Sequence, residues 1–568
     1  MELNPFFPVP HAKSHAPVKR RAVRPCGRGY GDTAKVISPR LLRQRWLTLS
    51  VALVAWGCVE QRGSVLSDTP TVRAPDEAAP APDEAAPAPD EAAPEESSSD
   101  VRSPDEGVPD EGSTDEGSTV ADASATPDPF PPVPSPDQLA WQTQELTAFL
   151  HFGLNTFLDQ EQGNGTASPT IFNPTGLDAS QWMATLRSAG FRQAMLTAKH
   201  HDGFCLWPSK CTAYSVAASP WLGGQGDVVR QFVDAAHQAN IRVGLALSPL
   251  DHHERTYNTP AYLAVFECQL TELLTNYGAV DEMWFWDFAP TSPGFDWNAI
   301  RLLVHRLQPH ALIDIGNVAA IAGADVRSIG QAAATPALAV AADQTSVKPT
   351  PGGATAMLEW YPAEAAYSIR PGWFWHAAED TQLKTLSQLI DLYYDSVGRN
   401  SLLRLNVPPN TRGLLANPDV AGIDQYGAAI RAIYQSNVVA ARPATADSVF
   451  KNSPNNAASM AVDGKIDTFW AAGEGKTSAR IEFDLGSVRT FNVVSIQEPL
   501  ALGERTTQHR VEAKSNGAWT TIASGTAIGA RKLHRVGAIT ASSIALVITQ
   551  ARGIPAIAEF GVYDSPFP

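Results

Sequence analysis

The chain has 568 residues, a formal net charge of −16, 44% hydrophobic and 18% charged residues, so it has room for two or three domains with large cores. No basic patch stands out, which excludes a nucleic-acid binder recruited by charge. The acidity is also segregated along the chain, so it says little about any catalytic site.

Residues 1–39 form a basic arm. Through residue 45 there are ten Lys and Arg against only Glu2 and Asp32. Residues 40–58 resemble a bacterial lipoprotein signal, with Arg40, Arg43 and Arg45 ahead of an apolar run from Leu47 to Gly57 and then Cys58. That run is too short to span a bilayer. The expectation is acylation at Cys58, a membrane lipid anchor, export to a bacterial cell envelope or beyond, and translation starting at a non-Met codon near Val36. Residues 59–136 read as a disordered acidic linker: Pro-Asp-Glu-Ala-Ala-Pro recurs from Pro75, Pro82 and Pro89. Between Asp68 and Asp128 eighteen acidic residues stand against Arg73 and Arg102. Such a stretch repels itself and cannot form a core.

From 137 to 437 apolar runs alternate with helical patterns. Thr147–Gly153, Gln193–Ala198, Arg242–Pro249 and Glu282–Asp287 read as buried strand-like runs, each ending in polar or glycine-rich sequence. Between the first two, Asp178 is a plausible N-cap for Ala179–Ala189, with Gly190 as the stop. After the second comes Lys199-His200-His201-Asp202-Gly203-Phe204, a polar cluster that closes a buried run abruptly. Gly226–Ala239 is apolar at helical spacing through Val228, Val229, Phe232, Val233 and Ala236. Strand-helix alternation with polar residues at successive strand ends is the pattern of an α/β chain folded as a β/α barrel, whose site lies at the C-terminal rim. The His-His pairs lack helical metal-ligand spacing, and no cofactor or metal is expected. Cys205 to Cys211 is the expected disulfide if one forms.

From 438 to 568 short alternating runs separated by Gly, Asn and Asp turns indicate an all-β sandwich. Ala461-Val462-Asp463-Gly464, Thr468-Phe469-Trp470 and Phe483-Asp484-Leu485-Gly486 resemble the discoidin-like modules.

Between 137 and 435 an ordered set of motifs resembles the family 29 glycoside hydrolases, the α-L-fucosidases. The motifs are His151-Phe152-Gly153-Leu154-Asn155-Thr156-Phe157, Lys199–Phe204 followed by Trp207, Gly244–Asp251, and Tyr277-Gly278 leading to Trp284-Phe285. Ser368–Phe374, Tyr394–Asn400 and Leu405–Pro409 follow. Arg370-Pro371-Gly372-Trp373-Phe374 suits the subfamily acting on α-1,3/1,4-linked fucose. The resemblance implies a TIM barrel and an exo-acting, retaining hydrolysis of fucosylated glycans through a covalent glycosyl-enzyme. It also implies sugar contacts from His151, Glu161, His200, His201, Trp207, Trp284 and Arg327.

The catalytic pair departs from the family pattern. The family nucleophile follows Trp-Phe directly, whereas here the run is Trp284-Phe285-Trp286-Asp287. Regular alternation puts Asp287 on the face opposite Trp284 and Trp286, and a β-bulge would bring it back. Asp287 is the expected nucleophile on that basis. The family acid/base glutamate is matched by Ala332, after Gly330-Gln331, and Glu364 is the preferred substitute over Glu359. Gln162 and Leu250 replace two further family tryptophans. The expectation is an α-L-fucosidase. The competing readings are a fucose- or glycan-binding protein on an impaired barrel, and an adhesion protein led by the sandwich.

Overall fold

The computed structural model describes residues 126–286, 296–315, 324–331, 342–350 and 353–567. The basic arm, the signal-like segment with Cys58, the linker through 125, Asp287 and Ala332 lie outside the described residues. Residues 126–136, the end of the stretch read as linker, are among those described. The Phe130 N–H donates to Leu502 O at 2.8 Å, and Asp128 O accepts from the Arg505 guanidinium.

Helix α1 (Pro136–Gln142) starts at a reciprocal cap between Ser135 and Gln138. Then come β1 (Leu146–Leu150), the short α2 (Leu154–Leu158), α3 (Ala179–Ser188), β2 (Gln193–Lys199), α4 (Val228–Gln238) and β3 (Arg242–Leu247). Next are α5 (Tyr262–Asn276), β4 (Glu282–Trp284), α6 (Trp297–Leu307), β5 (Leu312–Asp314) and β6 (Arg327–Gln331). An antiparallel hairpin of β7 (Asp343–Thr350) and β8 (Gly353–Trp360) precedes β9 (Ala363–Ser368), α7 (Leu386–Ser396), β10 (Leu402–Asn406) and α8 (Asn417–Ile433). As expected, Asp178 caps α3, accepting from Gln181 N at 3.1 Å, and Gly190 takes φ 98° just past the helix end.

Eight parallel strands run in the order β5-β4-β3-β2-β1-β10-β9-β6. A parallel bridge between Asp314 and Val326 brings the two edges together, so the sheet nearly closes as a barrel. Alternation sorts the side chains. Ala148, Leu150, Leu196, Leu245, Met283 and Phe285 join the large core shared with the helices, while Phe149, Met195, Ala246, Trp284 and Trp286 pack together inside the barrel.

The disulfide joins Cys211 to Cys268, and Cys205 is a buried free thiol, which corrects the expected Cys205–Cys211 pair. Cys205 is turned inward because its backbone bridges Lys199 and Ser215, whereas Cys211 reaches α5. The bond closes a sequence separation of 57 residues. Cys211→Ser with Cys268→Ser should cost about 2–4 kcal/mol. Thermal unfolding with and without reductant checks this: the wild type should fall to the variant's midpoint when reduced, and the variant should not move.

The C-terminal region is antiparallel throughout, built on two long bent strands, Ala479–Gln497 and Lys532–Ala551, with a separate core. The first of these, in place of the short runs expected, continues across register shifts at Asp484/Arg489 and Phe491/Val493. This region braces the barrel through Arg531–Glu145 at 2.5 Å and Arg535–Asp391 at 2.7 Å. Leu533 inserts into the barrel's own core.

Candidate active site at the barrel rim

The segments leaving β1, β2 and β4, with Ser328 on β6, Ala366 on β9 and Trp373 beyond it, enclose a cavity of about 220 Å³. His151, Glu161, Gln162, His200, His201, Trp284 and Trp286 complete its lining. A roomier cleft of about 620 Å³ lies between the barrel and the C-terminal region, but it is chiefly apolar. In the rim cavity polar groups from several strand ends converge.

Hydrogen-bond partners fix the hydrogen positions on two of the three pocket histidines. Asn406 donates its amide hydrogens to Ser368 Oγ (3.0 Å) and Trp373 O (2.8 Å), so its Oδ1 faces His151 Nδ1 at 2.8 Å. His151 therefore carries its proton on Nδ1 and leaves Nε2 as an acceptor. Asn155 Nδ2 donates to Glu161 O and stands 3.3 Å from His200 Nδ1, so His200 accepts there and holds its hydrogen on Nε2. His201 Nδ1 is hydrogen-bonded to Ser248 Oγ at 2.6 Å, and that hydroxyl also stands 3.0 Å from Leu250 O. Burial keeps all three rings neutral. It drives His151 down to about 3 against the Asn406 hydrogen bond, and His201 down to about 4 with help from His252 and Lys199. His200 also lies well below its ordinary value, through burial and then His201, His151 and His252. The cavity thus offers both donor and acceptor nitrogens, a chemistry suited to hydroxyl groups.

Two tryptophans form its inner wall. The Trp284 Nε1 hydrogen is buried without a hydrogen-bond partner among the described residues. Trp286, 7% exposed, packs at 5.3 Å from His200 and 5.4 Å from His201, centroid to centroid. Phe285 points the other way, against Phe266 and Trp297. The strand therefore alternates regularly through Trp286, with no bulge up to that residue, and the indole holds the inward position next along from Trp284. The expected nucleophile Asp287 lies outside the described residues.

Glu364 is fully buried one inward layer below Ala366. Its carboxylate stands 2.6 Å from Arg404 and 3.3 Å from Ser328 Oγ, and Ser328 separates it from the cavity. Burial raises its pKa well above the ordinary value; Arg404 opposes this, and Asp314 and Glu282 reinforce it. The ion pair is thus with Arg404, while Arg370 pairs with Asp419 and Asp380. Glu282, Asp314 and Glu364 bring one oxygen each within 4.8 Å of one another. The Arg404 guanidinium already supplies their positive partner, at 2.7 Å from Glu282, so this is an ion-paired core in place of a cation cradle.

Two expected sugar contacts stand elsewhere. Trp207 is buried in the barrel wall, donating Nε1–H to Glu272 at 2.8 Å. Arg327 donates to Tyr361 O at 2.9 Å, and by alternation it is the next residue, Ser328, that faces the cavity. Glu161 is at the cavity with both oxygens engaged, accepting from Trp373 N at 3.0 Å, from Phe374 N and from His376. Glu359, on β8, does not line it. Sequence reasoning missed Ser328, Ala366 and the Asn406 anchor, although counting alternation from Arg327 would have found Ser328.

Comparison with known proteins is consistent with this geometry. The family profile described as Alpha-L-fucosidase matches residues 140–432, and that described as F5/8 type C domain matches 443–560. Alpha-L-fucosidase 1 of Arabidopsis thaliana is 38% identical over 463 residues, covering 78% of this chain and 89% of its own. A rice protein (Oryza sativa subsp. japonica) named as an alpha-L-fucosidase 1 is 41% identical over 461 residues, covering 78% and 88%. Among solved structures, a Ruminococcus gnavus GH29 fucosidase in complex with fucose superposes with a TM-score of 0.69 at 31% identity, covering 78% of this chain and 97% of its own.

Proposed function

The chain belongs to the α-L-fucosidase family of glycoside hydrolases, and on that premise we propose that its rim pocket binds the terminal L-fucose of a glycan. The observation that carries this is the trio of neutral histidines in one small cavity, with an acceptor nitrogen on His151 and a donor on His200. The unpartnered Trp284 N–H supports it, because a buried donor needs a partner. In this reading the sugar's hydroxyls meet the histidines, its apolar face meets Trp284 and Trp286, and the indole of Trp286 stands where an ungapped family match has the nucleophile.

Family membership favours a second reading, retaining hydrolysis. Asp287 would attack the anomeric carbon to form a glycosyl ester. Glu364, the expected acid, is ion-paired to Arg404 and lies behind Ser328, so the departing oxygen would take its proton from water in the pocket, and a second water would then cleave the ester. Export and lipid anchoring at Cys58 belong to the same proposal. The Cys211–Cys268 disulfide supports an oxidising compartment.

The test is calorimetric titration of the full-length protein with L-fucose, alongside an aryl α-L-fucoside assay on the wild type and Asp287→Asn. Binding without release of the aryl group establishes a fucose-binding barrel. Turnover lost by orders of magnitude in Asp287→Asn establishes the hydrolase. Absence of both binding and turnover sinks the pocket assignment.

A further inference from the structure

His376, which follows the Arg370–Phe374 segment, sits between two carboxylates at the edge of the pocket. Its Nδ1 is 2.6 Å from Asp159 Oδ1 and its Nε2 is 2.8 Å from Glu161 Oε1. Ionised carboxylates only accept hydrogen bonds, so both ring nitrogens must donate, which only the imidazolium can do. Glu161 is in turn the acceptor that holds the backbone N–H groups of Trp373 and Phe374, and Trp373 lines the pocket 5.2 Å from the His151 ring. A hydrogen-bonded chain thus runs from the charge on His376 through Glu161 to the pocket wall.

We propose that His376 is a proton-dependent positioning residue for this pocket: in its charged form it fixes Glu161 and Trp373, and sugar binding weakens when it loses its proton. The proposal rests on fucose recognition at the rim. The surroundings favour the charged form. Asp159 caps the end of α2, Glu161 follows it in the loop, and Glu379 lies on the turn after His376, its carboxylate accepting from Gly372 N at 3.1 Å. Arg370 donates to His376 O at 3.3 Å and is itself paired with Asp419 and Asp380. Burial lowers the His376 pKa, but the hydrogen bonds to Glu161 and Asp159 outweigh it and the net shift is upward. A raised histidine contributes fully below its ordinary value, about 6.5, and the contribution is lost as pH rises through the raised value. The pocket histidines do not titrate in that window, since His151 sits at about 3 and His201 at about 4. Buried Asp202, pushed up to about 7, does titrate there, so the comparison between variants carries the argument.

The experiment follows L-fucose affinity of the full-length protein by calorimetry from pH 5.5 to 9, in the wild type and His376→Gln. The His376 ring is followed by NMR in the wild type and Glu161→Gln. Wild-type affinity should fall roughly three- to tenfold across the range. His376→Gln should bind at the weaker alkaline level at every pH, and the NMR midpoint should lie above 6.5 and drop in Glu161→Gln. A His376→Gln profile that keeps the wild-type pH dependence overturns the proposal, and so does an NMR midpoint at or below 6.5. Absence of fucose binding at any pH overturns the reading it rests on, while the ring titration still decides whether the clamp exists.

Discussion

Arg404→Ala should destabilise the barrel by about 3–5 kcal/mol, the cost of leaving buried charge uncompensated. Arg404 is 1% exposed and stands among three fully buried carboxylates, contacting Glu282 at 2.7 Å and Glu364 at 2.6 Å. Glu282 has other donors, Trp141 at 3.0 Å and Gln193 at 2.5 Å, but these are neutral. Without the guanidinium, Glu282 and Asp314 would face each other inside the barrel beside Glu364, and further protonation would be the only relief. The variant should therefore be less stable at pH 8 than at pH 5.5, relative to wild type, because a carboxylate with a raised pKa is more easily neutralised in acid. Thermal unfolding at both pH values is the check. A midpoint within a degree or two of wild type at pH 8 would show that the carboxylates find other partners. Arg404 also lies beneath Trp284, 5.9 Å from its ring, so milder changes at this position should be felt at the pocket floor.

Trp286→Ala should weaken L-fucose binding by about 2 kcal/mol, roughly thirtyfold, if the indole is a face on which the sugar packs. The argument is geometric. Trp286 lies among the three histidines and beside Trp284 at 4.9 Å, and it lines the cavity, so a bound ring cannot reach the histidines without covering it. Trp286→Phe should recover most of the affinity. Calorimetry on both variants, with a thermal melt to confirm folding, makes the test. An alanine variant that binds as tightly as wild type would place the sugar elsewhere.

The ordered motifs and the strand-helix alternation were enough to place the barrel, the rim and three of its histidines, because buried parallel strands write near-continuous apolar runs and polar residues interrupt them at the open end. Trp286 and Ser328 follow the same alternation and were equally readable. Glu364 shows where that reading stops. Its sequence neighbours said only that a carboxylate stood near a rim segment. Its height within the barrel, one layer below Ala366, depends on the register of β9 against β6 and β10. The disulfide failed for a related reason: Cys205 and Cys211 are near in sequence, but the fold of the loop between them turns one inward and carries the other to α5.

The sequence by itself determined the family, the order of the two folded regions, and which residue types reach the rim, because these depend on local pattern and spacing. Only the tertiary structure decided which nitrogen of His151 and His200 carries its hydrogen, that Arg404 pairs with Glu364, and that His376 grips Asp159 and Glu161 together. Those are contacts between residues far apart in the chain, for example 255 positions for His151 and Asn406, and no local periodicity encodes them. Protonation and ion pairing depend on burial and on what stands within a few ångströms, and folding sets both.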